Sequence, residues 1–285
     1  MTFETYISCE DAAQHLDDPR WVFIDCRFVL ADGAQSRRDY AQSHIRGAAY
    51  ASMHPDLSGA HIKSITGRHP LPEKAAWEQT IRRLGISNQS QVVAYDYQAG
   101  QSAAGRLWWM LKWAGHAAAA VIDGGFTRWA ALGLPVESIE RHNTPGAFVA
   151  AYDDSLSLSV KEAARIAGDP AYALLDSRAA DRFRGENETI DPVAGHIPGA
   201  ISAPFSENID GAGTLKSADA LAARFAKLAG DTPPERTVFY CGSGVSATQN
   251  ILAHAHIGRG MPRLFAGSWS EWIADGARIV ATGEA

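Results

Sequence analysis

Cys241 opens the run Cys241-Gly242-Ser243-Gly244-Val245-Ser246-Ala247, which follows the apolar stretch Thr237-Val238-Phe239-Tyr240 and leads into the helix-compatible Thr248-Gln249-Asn250-Ile251-Leu252. A thiol at a strand-to-helix junction, among residues small enough to let the chain wind tightly, can be ringed by backbone N–H groups and a helix N-terminus. That setting favours the thiolate, the form of cysteine that acts as a nucleophile. Gly242, Gly244, Val245 and Ser246 are the candidate backbone donors to a bound anion, and Ser243 offers a hydroxyl. A buried structural thiol at a strand end is the competing description; it leaves the glycines on both sides of Ser243 without a purpose.

Composition narrows the substrate class. The formal charge is −6, with no basic tract and no clustered cationic helix, which argues against nucleic acid or an anionic membrane as partner. The N-terminal residues show no basic segment followed by an apolar one, and no apolar run reaches the length of a membrane span. Three cysteines, Cys9, Cys26 and Cys241, are too few and too irregular for a disulfide framework or a zinc site, so a reducing cytoplasm is the expected home. The ten histidines, among them His61, His69, His116, His254 and His256, lack carboxylate or cysteine partners at ligand spacing, and no metal or organic cofactor is expected.

The elements that must position Cys241 are written twice. Phe23-Ile24-Asp25-Cys26-Arg27 returns as Leu174-Leu175-Asp176-Ser177-Arg178, and Ser43-His44-Ile45-Arg46-Gly47-Ala48 returns as Gly195-His196-Ile197-Pro198-Gly199-Ala200. Val92-Val93-Ala94-Tyr95-Asp96 then matches Thr237-Val238-Phe239-Tyr240-Cys241, and Gly124-Gly125-Phe126-Thr127-Arg128-Trp129 matches Gly267-Ser268-Trp269-Ser270-Glu271-Trp272. Each copy alternates short aliphatic runs with amphipathic segments, the pattern of an α/β domain. The expected fold is two duplicated domains, residues 1–138 and 153–285, each an open, mainly parallel sheet with helices on both faces. Gly133 to Tyr152, with Pro135, Pro145 and Gly146 and no sustained periodicity, reads as the linker. Ser159-Val160-Lys161-Glu162 is a capping-box start, and helices are expected over Ala103–Trp113 and Val245–His256 after the two equivalent loops.

The Cys241 loop resembles the active loop of the tandem-domain rhodanese-like sulfurtransferases, in the Cys-Gly-Ser-Gly-Val-Thr form of the 3-mercaptopyruvate sulfurtransferase type, with Ser246 where threonine is usual. The Asp-x-Arg strand end, the Gly-His-Ile-Pro-Gly-Ala block and the Gly-Ser-Trp-Ser-Glu-Trp block extend the resemblance over nearly the whole chain. It implies transfer of sulfane sulfur from 3-mercaptopyruvate through a Cys241 persulfide to a thiol or cyanide. A thioredoxin-like reductant is a further partner it admits. Because Asp96 stands at the cysteine position of the first copy, that domain is expected to be catalytically silent and to supply one wall of a cleft. The resemblance further implies Arg182 as the grip on the donor's anionic group, whose fork suits a carboxylate or a thiosulfate oxygen pair. It also implies a serine, a histidine of the first domain and an aspartate that cooperate in proton transfer; these map to Ser243 and His44, with Asp32 as a third member. Ser243 equally fits a tight turn alone, and His44 equally fits a structural role like that of His196. Arg178 is expected in a structural ion pair and Arg184 in solvent.

Two departures bear on the donor. Mercaptopyruvate-specific relatives carry a second arginine within a Glu-Pro-Arg segment after the Arg182 block, but this chain reads Glu186-Asn187-Glu188-Thr189-Ile190-Asp191-Pro192. Thiosulfate-preferring rhodaneses in turn place cations in the active loop, where this chain has Gly242 and Ser243. Thiosulfate transfer by the same persulfide chemistry, and a persulfide carrier serving a protein acceptor, therefore stand as alternatives. A cysteine phosphatase is disfavoured, because the position six beyond Cys241 holds Ala247 and not arginine.

Overall fold

The structure, a computed structural model, describes residues 2–284. They form two compact units that are not simple halves of the chain. The first takes the chain up to Gly59, Leu71–Asp153 and Asp210–Leu215; the second takes Ala60–Pro70, Asp154–Ile209 and the chain from Lys216 onward. One division between the units falls at Asp153–Asp154. Each unit also includes a short segment from the other half of the sequence, so neither is one contiguous stretch.

In the first unit, strands β1 (Tyr6–Ile7), β2 (Trp21–Asp25), β3 (His44–Ile45), β4 (Ala49–Tyr50), β5 (Gln91–Tyr95), β6 (Ala119–Ile122) and β7 (Val136–Glu137) alternate with helices α1 (Cys9–Ala13), α2 (Gly33–Gln42), α3 (Lys74–Arg83), α4 (Ala103–Trp113) and α5 (Gly125–Ala131). The second unit has β8 (Ser157–Leu158), β9 (Ala173–Asp176), β10 (Ile201–Ser202), β11 (Thr237–Tyr240) and β12 (Arg263–Phe265), with α6 (Val160–Ile166), α7 (Ala180–Arg184), α8 (Ala218–Ala229), α9 (Ala247–His256) and α10 (Ser268–Trp272).

Both units build a five-stranded parallel sheet with one topology, β1-β6-β5-β2-β4 in the first and β8-β12-β11-β9-β10 in the second. Central strands β5, β6 and β11 are buried at every residue, as parallel strands flanked by helices must be, and this explains why they read as unbroken runs without polar alternation.

The Asp-x-Arg repeat does the same work in both copies. Asp25 and Arg27, and likewise Asp176 and Arg178, form buried ion pairs at 2.7 and 2.6 Å, and each arginine also donates to a backbone carbonyl, Ser43 or Gly195. Tyr95 and Tyr240 each accept an N–H, from Ile45 and Ile197, at their hydroxyls. Residues 133–152 lie along the first unit: β7 pairs antiparallel with β3, Phe148 is fully buried, and Gly146 and Ala151 donate backbone bonds to Arg82 and Ala114. The expected helix over Ala103–Trp113 and the Ser159 capping box are present, whereas the helix after Cys241 begins at Ala247 because Gly244 takes a left-handed φ of +74°. Among the described residues, no helix is long and apolar enough to cross a membrane.

Candidate active site

Cys241 follows directly on β11, and its side chain is almost wholly buried. The Gly267–Trp272 block holds the loop. Cys241 N–H donates to Ser268 Oγ at 3.1 Å, Trp269 N–H to the Cys241 carbonyl at 3.0 Å, and Ser270 N–H to the Gly242 carbonyl at 2.9 Å. At Gly244 a β-carbon would lie 2.2 Å from the Ala266 carbonyl oxygen, so close packing and positive φ both exclude any other residue there. Val245 is buried and its carbonyl accepts from the Thr248 hydroxyl at 2.6 Å; Ser246 is the half-buried N-cap of α9 and its side chain makes no capping bond.

The first unit shows what such a loop does with an anion. The buried Asp96 carboxylate accepts from the N–H groups of Gln98, Gly100 and Ser102 at 3.1, 3.2 and 2.9 Å and from the Ser102 hydroxyl at 3.2 Å. Burial pushes its pKa up and the three N–H groups pull against that shift. Tyr97 matches Gly242, since their carbonyls accept from the equivalent N–H groups of Thr127 and Ser270, and Gly100, with φ +75°, makes the left-handed turn that Gly244 makes in the second loop. We expect Asp96→Ala, which strands these donors in a dry site, to cost about 3 kcal/mol; urea unfolding of the folded variant measures it, and a loss under about 0.5 kcal/mol would show that water replaces the carboxylate freely.

Segment 60–70 brings two residues to the second unit's loop. Arg68 N–H donates to Ser270 Oγ at 3.0 Å, and a β-carbon at Gly67 would meet the Gly267 carbonyl at 2.5 Å, so this stretch rides directly on the block that holds Cys241. His69, the next residue, sets Nδ1 2.8 Å from Ser243 Oγ, with both side chains buried.

The expected partner of Ser243, His44, is located otherwise. It is fully buried in the first unit, stacked on Tyr40 at 3.9 Å with Nδ1 2.7 Å from the Tyr40 carbonyl, just as His196 stacks on Phe183 and bonds the Phe183 carbonyl in the second. The duplicated histidine thus serves each unit's own packing, and the histidine against Ser243 is His69. Asp32 is the exposed N-cap of α2 and pairs with Arg38 at 2.7 Å, a capping role that leaves it no part in this cluster.

Arg182 is in the cluster. Its Nε and Nη2 reach Glu188 at 3.0 and 2.9 Å, and Nη2 reaches Asp191 at 3.0 Å. Arg68 Nη1 bonds the other oxygen of Asp191. A β-carbon on Gly242 would lie 2.8 Å from Arg68 Nη2 and 3.8 Å from Arg182 Nη2, so both guanidinium groups border the active loop. A second arginine, Arg68, thus stands beside Arg182 at the Cys241 loop. Glu188 is held below the usual carboxylate range: burial works against ionisation, and the Arg182 bonds with the N–H groups of Asp191 and Ile190 outweigh it. Arg178 is in the buried pair with Asp176, and Arg184 pairs with Glu186 at 2.7 Å.

Arg68, His69 and Asp191 escaped the sequence reading. The signal available for the first two was the Gly67-Arg68-His69-Pro70 stretch, an Arg-His pair in a loop outside the duplicated blocks.

The model of the rhodanese-like domain matches residues 8–132 and again 159–275. The chain belongs to the rhodanese family. Over the full length of both chains it is 42% identical to a Pseudomonas aeruginosa protein named probable 3-mercaptopyruvate sulfurtransferase. It is 31% identical to the chicken thiosulfate sulfurtransferase, covering 88% of this chain and 85% of that one. The structure of the Leishmania major 3-mercaptopyruvate sulfurtransferase is 32% identical, superposes with a TM-score of 0.82, and is matched over 94% of this chain and 74% of that one. Relatives are named for both donors, so names alone leave the donor to the site's chemistry.

Proposed function

We propose that this protein, a sulfurtransferase by its family, takes sulfur from 3-mercaptopyruvate and passes it, through a Cys241 persulfide, to a thiol or cyanide. The observation that carries the choice of donor is the 2.8 Å contact between His69 and Ser243, two residues beyond the nucleophile. Attack of the Cys241 thiolate on the donor sulfur forms an S–S bond and breaks the C–S bond. The electron pair leaves on carbon as pyruvate enolate, which must gain a proton to become pyruvate. Ser243, hydrogen-bonded to His69, can deliver that proton and recover it through the imidazole. Sulfite leaving from thiosulfate needs no proton on carbon, so the pair has a task with one donor only. An acceptor thiolate or cyanide then attacks the outer sulfur, the S–S bond breaks, and Cys241 regains its thiolate. The loop N–H groups offer a preorganised cradle for the anionic sulfur at each stage.

The arginines support the same reading, since two planar forks beside Gly242 suit the donor's carboxylate. Three unpaired cysteines and persulfide chemistry fit a reducing cytoplasm, with a thioredoxin-like protein among the acceptors. Incubation with each donor, intact-mass detection of one added sulfur atom, and turnover with cyanide and a small thiol test the proposal. A protein that is charged only by thiosulfate would replace it with the thiosulfate reading. Added sulfur without turnover on either small acceptor would indicate a carrier.

Arg182→Ala is expected to lower kcat/KM for 3-mercaptopyruvate by about 1.5–3 kcal/mol, the scale of a charge-assisted hydrogen bond. Its melting temperature should stay near the parent's, because Glu188 keeps Arg178 and two backbone N–H groups while Asp191 keeps Arg68. Loss of folding with normal kinetics in the folded fraction would make the residue structural.

A further inference from the structure

Two carboxylates of the stretch after the Arg182 block, Glu188 and Asp191, bond Arg182, and they are not equivalent. Glu188 is built in: besides Arg182 it accepts from the N–H groups of Ile190 and Asp191 at 2.9 Å, and Arg178 lies 3.3 Å away. Asp191 is held differently. Among the described residues, its carboxylate bonds only the guanidinium groups of Arg68 and Arg182, one on each oxygen, with its side chain almost entirely out of solvent. No backbone N–H is bonded to that carboxylate to stabilise its charge, and burial pushes its pKa up despite Arg68. The carboxylate lies 3.8 Å from where a β-carbon of Gly242 would be, at the edge of the Cys241 loop.

A carboxylate that spans two arginines beside the nucleophile has the chemistry of the donor's own anionic end. We propose that Asp191 is an internal counter-ion that occupies the arginine pair until the donor's carboxylate displaces it, and that its charge selects a monocarboxylate donor over a dianion. This rests on the reading that the arginine pair receives the donor. With Asp191 and Glu188 ionised, two acids balance Arg68 and Arg182, so no net positive charge faces the loop. A monoanion that exchanges for Asp191 keeps that balance when the displaced, buried Asp191 carboxyl takes a proton from solvent, whereas thiosulfate brings a second negative charge into a site with nothing left to meet it.

The test uses the full chain with Asp191→Asn and, in case the amide is not accommodated, Asp191→Ser. Steady-state kinetics are measured with 3-mercaptopyruvate and with thiosulfate, and pyruvate serves as a non-reacting competitor. Removing the counter-ion is expected to lower KM for 3-mercaptopyruvate and the inhibition constant of pyruvate about fivefold. KM for thiosulfate should fall further, so that the donor ratio in kcat/KM moves about tenfold toward thiosulfate. A folded variant with unchanged or raised KM for both donors overturns the proposal, as does failure of both variants to fold, since either result makes Asp191 a structural tie. Arg182→Ala in the same assays separates the two readings. If it leaves KM unchanged, the arginine pair is not the donor's seat and the underlying reading fails; if it raises KM while the Asp191 variants do not lower it, only the counter-ion inference fails.

Discussion

Cys241→Ser is expected to remove sulfur transfer, with turnover down by about 10⁴-fold or more and no added sulfur atom in the intact mass after incubation with donor. Cys9→Ser and Cys26→Ser should keep most of the activity. The difference is environment, since all three thiols are buried. Burial, with Glu10 adding to it, pushes the Cys9 thiol up to about 12, and burial together with Asp25, Asp96 and Asp56 pushes Cys26 well above its usual value. Both are therefore protonated near neutral pH and poor nucleophiles. Cys26 is also replaceable in principle, because the second unit carries Ser177 at the equivalent position, where its N–H bonds the Tyr240 carbonyl as the N–H of Cys26 bonds that of Tyr95. Persistent turnover in the Cys241 variant, or its loss in either of the other two folded variants, would overturn the assignment of the nucleophile.

The second large effect concerns the proton. Ser243→Ala and His69→Ala are each expected to lower kcat with 3-mercaptopyruvate by about 10²–10³-fold, the usual size for a general acid–base pair, and the double variant should be little worse than either single one. With thiosulfate the loss should stay within about tenfold, because no carbon is protonated. His44→Gln supplies the contrast. It disturbs the stacking on Tyr40 and the bond to the Tyr40 carbonyl, so it should cost about 1–2 kcal/mol of stability and leave kcat of the folded protein near the parent's. Equal losses with both donors in the His69 variant would mean that the imidazole shapes the loop and moves no proton.

What was legible in the sequence has a physical basis in local patterning. Strand and helix periodicity, the unbroken apolar runs of β5 and β11, the Ser159 cap and the glycines of the Cys241 loop are decided by neighbours in the chain, and the duplication made each visible twice. The same duplication misled at His44. A residue repeated in both copies serves what both copies share, and here that is the packing of an imidazole on an aromatic ring and a bond to a carbonyl. The histidine that meets Ser243 came instead from outside the repeat.

The sequence by itself determined the α/β architecture and the family, and it singled out Cys241 and Arg182 as candidates, because each depends on residues within one short stretch or on a motif that recurs. Only the tertiary structure decided which histidine meets Ser243, which second arginine borders Gly242 and which carboxylate fills the space between the arginines. Arg68 and His69 lie more than a hundred residues from the loop they serve, and no periodicity reports so distant a contact. They arrive because Gly67 allows the chain to press against Gly267 and the Ser270 hydroxyl ties down the N–H of Arg68. Such a contact rests on close backbone approach and hydrogen-bond geometry, which exist only once the second unit has assembled.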